Sequence, residues 1–253
     1  SGAVPVVRLE EIFRQAEASL IVRNAHRVNA GERPETDSGD ELVDFYAIAV
    51  KDAADAQEKL TTLVAERMPA RFGLDPMDDV QVLCPTNRGA LGARTLNDVL
   101  RARLNPTPAD AIERGERRFA VHDRVMQIEN DYERDVYNGD LGRLARIDRD
   151  QKTVEVRIDG RALTYRFDEL DALQPAYAVT VHKAQGSEYP AVVIVLARQH
   201  GRMLRRDLVY TGLTRARRLA VFLVEGDALE RALRGRRDAR RLTRLQELIR
   251  ETS

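Results

Sequence analysis

Residues 191–197 read Ala-Val-Val-Ile-Val-Leu-Ala, seven side chains in a row without a polar group. A strand with one face in water alternates apolar and polar residues. A strand apolar on both faces must be covered on both, which is the position of a central strand in a parallel sheet. This run therefore commits the chain to an α/β fold with helices on either side of the sheet. It falls well short of the roughly 18 apolar residues that a membrane span needs, and no longer run exists, so a membrane protein is ruled out.

The flanking pattern extends this frame. Short apolar strands are expected at Val4–Leu9, Val43–Val50, Val80–Cys84, Tyr177–Val181 and Leu219–Val224. Helical spacing runs from Glu10 to Ala30 with Gly31 as its stop, from Asp52 to Arg71, from Gly89 to Leu104 and from Leu204 to Arg217, and two helical stretches close the chain. Residues 31–41 are polar and turn-rich. Between Phe119 and Leu173 the texture changes to short alternating runs separated by turn signals, Asn138-Gly139 and Asp159-Gly160 among them. Some 55 residues of this kind suit a compact antiparallel barrel. The expected organisation is a parallel α/β domain formed by residues 1–115 and 174–253, with a small β-barrel at 116–173 inserted into it.

Composition narrows the chemistry. There are 41 basic and 41 acidic residues, so any nucleic-acid contact must come from a local patch rather than a global field. Lysine occurs only at 51, 59, 152 and 183; the remaining basic residues are arginines, which fork onto phosphates and carboxylates. Cys84 is the single cysteine, excluding an internal disulfide framework and a cysteine-based zinc site, and its apolar strand points to a buried thiol. No two histidines stand at metal-ligand spacing, so no metal is expected on this chain. The first residues, Ser-Gly-Ala-Val-Pro, lack the basic end and apolar run of a secretory signal, and a cytoplasmic location is expected. No glycine precedes a lysine, so the phosphate loop GxxxxGK[ST] is absent, and no Asp-Glu pair follows an apolar strand to serve magnesium. A complete nucleoside triphosphatase is not encoded here.

Three segments carry what remains. Thr180-Val181-His182-Lys183-Ala184-Gln185-Gly186-Ser187-Glu188 follows a strand and precedes the apolar run. Tyr210-Thr211-Gly212-Leu213-Thr214-Arg215-Ala216-Arg217 lies before another strand, and Phe13-Arg14-Gln15-Ala16 lies in the first helix. Together they resemble motifs V, VI and IV of superfamily 1 helicases. The pattern resembles most the RecD/TraA branch, in which Asn87-Arg88-Gly89 with Leu96-Asn97, and Asn130-Asp131-Tyr132 with Tyr137-Asn138-Gly139-Asp140, also find counterparts. The resemblance covers nearly the whole chain. It implies a second RecA-like motor domain, P-loop NTPase-like but without the P-loop, carrying an SH3-like barrel. It also implies that the chain begins just after motif III, so that the first motor domain is missing from it.

The resemblance assigns roles residue by residue. Arg14 and Arg215 become arginine fingers at a cleft shared with the missing motor domain. Gln185, Gly186 and Glu188 face ATP, which together with Mg2+ is held mainly by that absent domain. Thr180 and His182 contact single-stranded DNA, and Thr86, Asn87, Arg88 and Asn97 are further DNA candidates, with turn formation and helix capping as their plain structural alternatives. Tyr132 and Tyr137 on the barrel suit either strand contact or hairpin packing. The arginine-rich stretch 231–250 carries an apolar stripe and fits an amphipathic helix packed on its own domain. The implied whole is an ATP-dependent DNA helicase moving 5′ to 3′ on single-stranded DNA, partnered by its first motor domain and by subunits of a recombination or repair complex. The fragment alone is expected to hydrolyse no ATP. Two other readings stand beside this: a non-catalytic DNA- or protein-binding module derived from a helicase, and a nuclease, for which no clustered carboxylates speak.

Overall fold

A computed structural model describes residues 19–36 and 42–235. Five strands, β1 (Phe45–Val50), β2 (Val80–Cys84), β10 (Ala178–Thr180), β11 (Tyr189–Leu196) and β12 (Ala216–Glu225), form a parallel sheet in the order β1-β12-β11-β2-β10. The apolar run falls on β11 near the centre, and residues 191–197 are all buried. Alternate residues feed two separate cores. Val192, Ile194 and Leu196 join Phe222 beneath helices α1 (Leu20–Ala30), α5 (Arg206–Leu213) and α6 (Ala228–Arg234). Ala191, Val193 and Val195 join Val82, Val221 and Leu223 under α2 (Ala53–Thr62), α3 (Met68–Phe72) and α4 (Ala93–Leu104). Each buried aliphatic side chain contributes about 1.5–3 kcal/mol, so the two-faced strand is the energetic centre of the domain. No helix among the described residues is long and apolar enough to cross a membrane.

Several local expectations are corrected by chemistry at the element ends. A single helix from Glu10 to Ala30 does not form, because Ser19 is an extended N-cap that accepts from the Val22 amide at 3.3 Å. Asp44 reinforces the start by accepting from the Leu20 amide at 2.9 Å and from the Ser19 hydroxyl at 2.5 Å. The helix ends where expected, at Gly31 in the left-handed region (φ 85°). The expected strand Val4–Leu9 lies outside the described residues. The stretch from Asp52 to Arg71 is helical but contains a π turn at Leu63–Arg67 ahead of Pro69, whose missing N–H and bulky ring the regular ladder cannot accommodate. The Leu204–Arg217 helix is shorter than expected: α5 stops at Leu213 and β12 already begins at Ala216.

Between α4 and β10 lies the antiparallel region. A two-stranded hairpin, β3 (Ala111–Arg114) with β4 (Arg117–Ala120), comes first; the sequence patterning did not reveal it. Then β5 (Arg124–Gln127), β6 (Leu141–Asp148), β7 (Thr153–Ile158), β8 (Arg161–Arg166) and β9 (Leu173–Pro175) pair in the order β8-β7-β6-β5-β9. Among the described residues β8 and β9 remain edges, so the sheet curls over its own core of Val125, Leu144, Val156 and Tyr165 without closing by strand pairing. Asp159 and Gly160, both at positive φ (49° and 76°), make the tight β7–β8 turn. Asn138-Gly139 instead ends a longer β5–β6 connection that contains an Asp131–Val136 bridge.

The insert is anchored to the parallel sheet by buried polar bonds. The Tyr177 hydroxyl donates to the Asp123 carboxylate at 2.9 Å, and Asn105 donates to the same oxygen at 2.9 Å. Burial first, and then the facing carboxylate, push the Tyr177 phenol well above the usual tyrosine range. Arg124, 4% exposed, donates to the Val80 carbonyl at 2.6 Å, and burial lowers it to about 10.

Candidate functional site

The segment after β10 folds into consecutive turns: Lys183 and Ala184 amides donate to the Thr180 carbonyl, and the Gln185 amide to His182. Gly186 closes them at φ 89°, with open space where a Cβ would stand, so glycine is required by conformation and not by packing. Successive side chains of this segment face two different cavities. His182 and Gln185 line one of about 220 Å³ with Arg205, Asp207 and Thr211 of the α5 region. Thr180 and Lys183 line the other, of about 430 Å³.

Arg215 stands in the turn between α5 and β12, not on a helix as expected. Half-buried, it donates from Nη1 to the Ser187 carbonyl at 3.0 Å, from Nε to the Thr211 carbonyl at 3.2 Å and from Nη2 to Thr214 Oγ1 at 3.3 Å. Its own carbonyl accepts from the Tyr189 amide at 2.8 Å. These bonds bring Ser187 and Tyr189 against Arg215, although the two segments are far apart in sequence. A guanidinium has five N–H donors, so two remain available on a side chain whose direction is fixed. Glu188 is exposed and pairs with Arg217 at 2.8 Å, a surface bond worth about 0–1 kcal/mol. Arg14, the other candidate finger, lies outside the described residues.

The larger cavity is a groove walled by α4, the end of β10 and the β3–β4 hairpin. It brings together Asn87, Asn97 and Thr180 of the sequence candidates. It also contains Arg94, Arg101, Arg117, Arg118, Gln174 and Lys183, which the sequence reading did not select, against the carboxylates of Asp98 and Glu116. Arg117 donates to the carbonyls of Asp171 and Leu173 and makes no salt bridge among the described residues, although its charge is felt by the Asp171 carboxylate. Arg118 makes no ion pair there either, and Lys183 reaches only the Gln174 amide oxygen. Partial burial, with Arg117 nearby as the second cause, lowers Lys183 below the usual lysine range. Arg94 and Arg101 pair with Glu116 and Asp98, while Arg118 and Lys183 have no carboxylate partner among the described residues, which prepares the cleft electrostatically for an anion. The alternation of Glu113-Arg114-Gly115-Glu116-Arg117-Arg118 around a glycine was the available signal for this wall.

The other candidates are placed differently. Asn97 is 7% exposed and its amide is fully engaged: Nδ2 donates to the carbonyls of Ala93 and Ala178, each at 2.8 Å, and Oδ1 accepts from the Ala178 amide at 3.0 Å. It fixes the groove wall rather than offering a free amide. The Thr86 hydroxyl donates to the Arg88 carbonyl at 3.0 Å and shapes the turn. Asn87 and Arg88 are exposed beside it. Cys84 is fully buried and its thiol is pushed up to about 12 by that burial, which removes it as a nucleophile. Among the described residues no group of three His, Cys, Asp or Glu stands ready to hold a metal ion.

Comparison with known proteins agrees with this arrangement. Residues 96–158 match the family described as the ATP-dependent RecD-like DNA helicase SH3 domain, and residues 175–234 match the UvrD-like helicase C-terminal domain. The fold and these two segments define the class: a helicase-type RecA-like domain carrying an SH3 unit. The chain is 36% identical over 247 residues to the ATP-dependent RecD2 DNA helicase of Deinococcus radiodurans, covering 97% of this chain and 32% of that protein. It is 28% identical over 215 residues to the RecBCD enzyme subunit RecD of Mycobacterium tuberculosis, covering 80% of this chain and 35% of that one. Within that class these matches are consistent with the C-terminal region of a RecD-type helicase, and the chain spans about a third of the length of these relatives. Two solved structures share the fold at 16% identity. Pif1 helicase from Bacteroides, in complex with ADP-AlF3 and ssDNA, has a TM-score of 0.52 over 89% of this chain and 53% of that one. Pif1 helicase from Candida albicans has 0.51 over 96% and 60%.

Proposed function

We propose that this chain is the second motor half of an ATP-driven, single-strand-tracking DNA helicase of 5′ to 3′ polarity, organised as a parallel domain (1–115 and 174–253) with its insert at 116–173. The observation that most supports this reading is the bond between Arg215 and the Ser187 carbonyl, which joins the two helicase-like segments into one rigid, cationic edge. ATP cleavage builds negative charge on the γ-phosphoryl oxygens, and a guanidinium already held in place stabilises that charge with little reorganisation. Arg215, with its two spare donors, takes that part, and Arg14 is its proposed companion. Gly186 gives the nucleotide close access to backbone, while Gln185 and Glu188 flank it. ATP and Mg2+ are held mainly by a companion motor domain, so no step here runs through the ion.

The groove is the proposed track for single-stranded DNA. Thr180 and Asn87 contact phosphates within it, Thr86 and Arg88 contact them from the turn beside Asn87, His182 contacts the strand from the neighbouring cavity, and Asn97 acts by holding α4 to β10. The 180–188 segment touches both cavities, so nucleotide-driven movement of the Arg215 edge reaches the strand contacts through a few residues of chain. Subunits of a recombination or repair complex are proposed partners. In the full-length protein, Arg215→Ala is expected to lower DNA-stimulated ATP turnover by about 10³-fold while leaving single-strand affinity within about twofold. Near-normal turnover would remove Arg215 from catalysis and this reading with it.

A further inference from the structure

The largest exposed aromatic surface of the described residues belongs to neither cavity. Tyr132 is 77% exposed and Tyr137 44%, both on the β5–β6 connection of the insert. Their rings meet edge to face with centroids 6.2 Å apart and planes at 78°. Neither ring packs into the insert core, which is filled by Val136 from the same connection. The pair is nevertheless held in place. The Tyr137 hydroxyl donates to Asp135 at 2.8 Å, its amide donates to Asp140 at 2.8 Å, and Asn130 donates to the Tyr132 hydroxyl at 3.3 Å. Two rigid aromatic faces in water are costly to keep exposed unless they are covered in use.

The surrounding charge identifies what covers them. Residues 129–140 contain Glu129, Asp131, Glu133, Asp135 and Asp140 against the single cation Arg134. Arg134 is turned inward, 4.9 Å over the Tyr165 ring, with Asp131 at 2.6 Å and Glu169 at 2.8 Å. Glu129 and Glu133 are exposed and make no ion pair among the described residues. Arg161 adds one further cation, paired with Asp135 at 3.4 Å, but carboxylates still outnumber cations, and a phosphate backbone would be repelled here. A guanidinium would find what Arg134 already uses on the inner face of the same connection: a tyrosine ring to lie on and carboxylates to receive its N–H groups. The outer face offers these ingredients without an occupant.

We propose that the 129–140 connection is a docking surface for an arginine-bearing, extended segment of a partner protein. An arginine side chain stacks on Tyr132, with Glu129 and Glu133 receiving its charge and Tyr137 forming the floor. This assignment is independent of the motor reading and gives the insert a recruiting role distinct from the DNA groove.

The test uses this chain with 3-fluorotyrosine incorporated, and four probes: a twelve-residue synthetic peptide with three arginines spaced by glycine and serine, the same peptide with lysines, the same with glutamines, and a twelve-nucleotide oligothymidylate. The arginine peptide is expected to move the fluorine resonances of Tyr132 and Tyr137, to bind several-fold more tightly than the lysine peptide, and to leave the glutamine peptide without effect. Tyr132→Ala is expected to weaken it by about tenfold, as loss of a stacked cation implies. Because Tyr132 is almost wholly exposed, that variant keeps its fold, which an unchanged Tm verifies; Glu133→Gln gives a second, isosteric loss. Equal binding of arginine and lysine peptides, no movement of the two resonances, or movement by the oligothymidylate instead would each overturn the proposal, the last in favour of a nucleic-acid surface.

Discussion

His200 is 2% exposed at the end of β11, and both of its ring nitrogens are committed. Nδ1 accepts from the Ala197 amide at 3.0 Å, and Nε2 lies 3.3 Å from the Leu91 carbonyl, so the ring is the neutral tautomer with its proton on Nε2. Protonation would turn Nδ1 into a donor facing a donor. Burial accordingly lowers the His200 pKa. A base lowered in the folded state binds its proton more readily when unfolded, so stability is complete above the unfolded value near 6.5 and is lost as pH falls below it, by up to about 1.4 kcal/mol per pH unit. The other histidines, 26, 122 and 182, are exposed, and carboxylates titrate lower, which isolates the effect between pH 7 and 5. Thermal unfolding of the chain should show Tm falling across that window, and His200→Gln, which stays neutral, should flatten the profile. Asn97 was selected from the sequence as a DNA candidate, but its contacts with Ala93 and Ala178 were not legible there. Asn97→Leu strands the Ala178 amide and carbonyl and should cost about 1–3 kcal/mol in chemical unfolding.

At the scale of elements, the parallel strands were legible because a two-faced apolar run has few other uses, and the tight β7–β8 turn because Asp-Gly tolerates the positive φ that such a turn requires. Gly160 tests that reasoning: no atom lies within 4 Å of where its Cβ would stand, so Gly160→Val is opposed only by backbone conformation at φ 76°. It should destabilise by about 1–2 kcal/mol, and a neutral result would place the turn's specificity elsewhere. What periodicity missed has a common cause. The break before Leu20 depends on Asp44, and the position of Arg215 depends on the carbonyl of Ser187; both partners are remote in the chain, and helical spacing holds no record of them. The β3–β4 hairpin was hidden because its strands are short and arginine-rich, with Phe119 and Ile112 as their only large buried side chains. Its loss from the sequence reading also removed one wall of the groove. The candidates named there, Asn87, Asn97 and Thr180, came from strand ends, while Arg117 and Arg118 needed the tertiary fold.

At the scale of the molecule, that groove is a joint construction. Thr180 and Lys183 come from the parallel domain, Arg117 and Arg118 from the hairpin, and Gln174 from β9 at the junction of the two. The buried Tyr177–Asp123 bond holds these parts in register, so the cations meet as a fixed set rather than as independent surface charges. With 41 charges of each sign the chain has no net field to attract a polyanion, and affinity must come from this local cluster. That makes salt a direct count of contacts. For single strands the logarithm of affinity falls with the logarithm of salt by about 0.7 per phosphate neutralised. Lys183→Ala and Arg118→Ala should each reduce the slope by about that amount and weaken oligothymidylate binding alike across base compositions. Glu230→Gln, on the far side of the parallel domain near Arg33, supplies the comparison, since it alters charge without entering the groove. Fluorescence anisotropy between 50 and 300 mM salt, roughly the range over which phosphate contacts dominate, reads all three variants. Slopes unchanged in Lys183→Ala and Arg118→Ala would show that the strand runs over another face, and would separate the groove from the nucleotide edge proposed at Arg215.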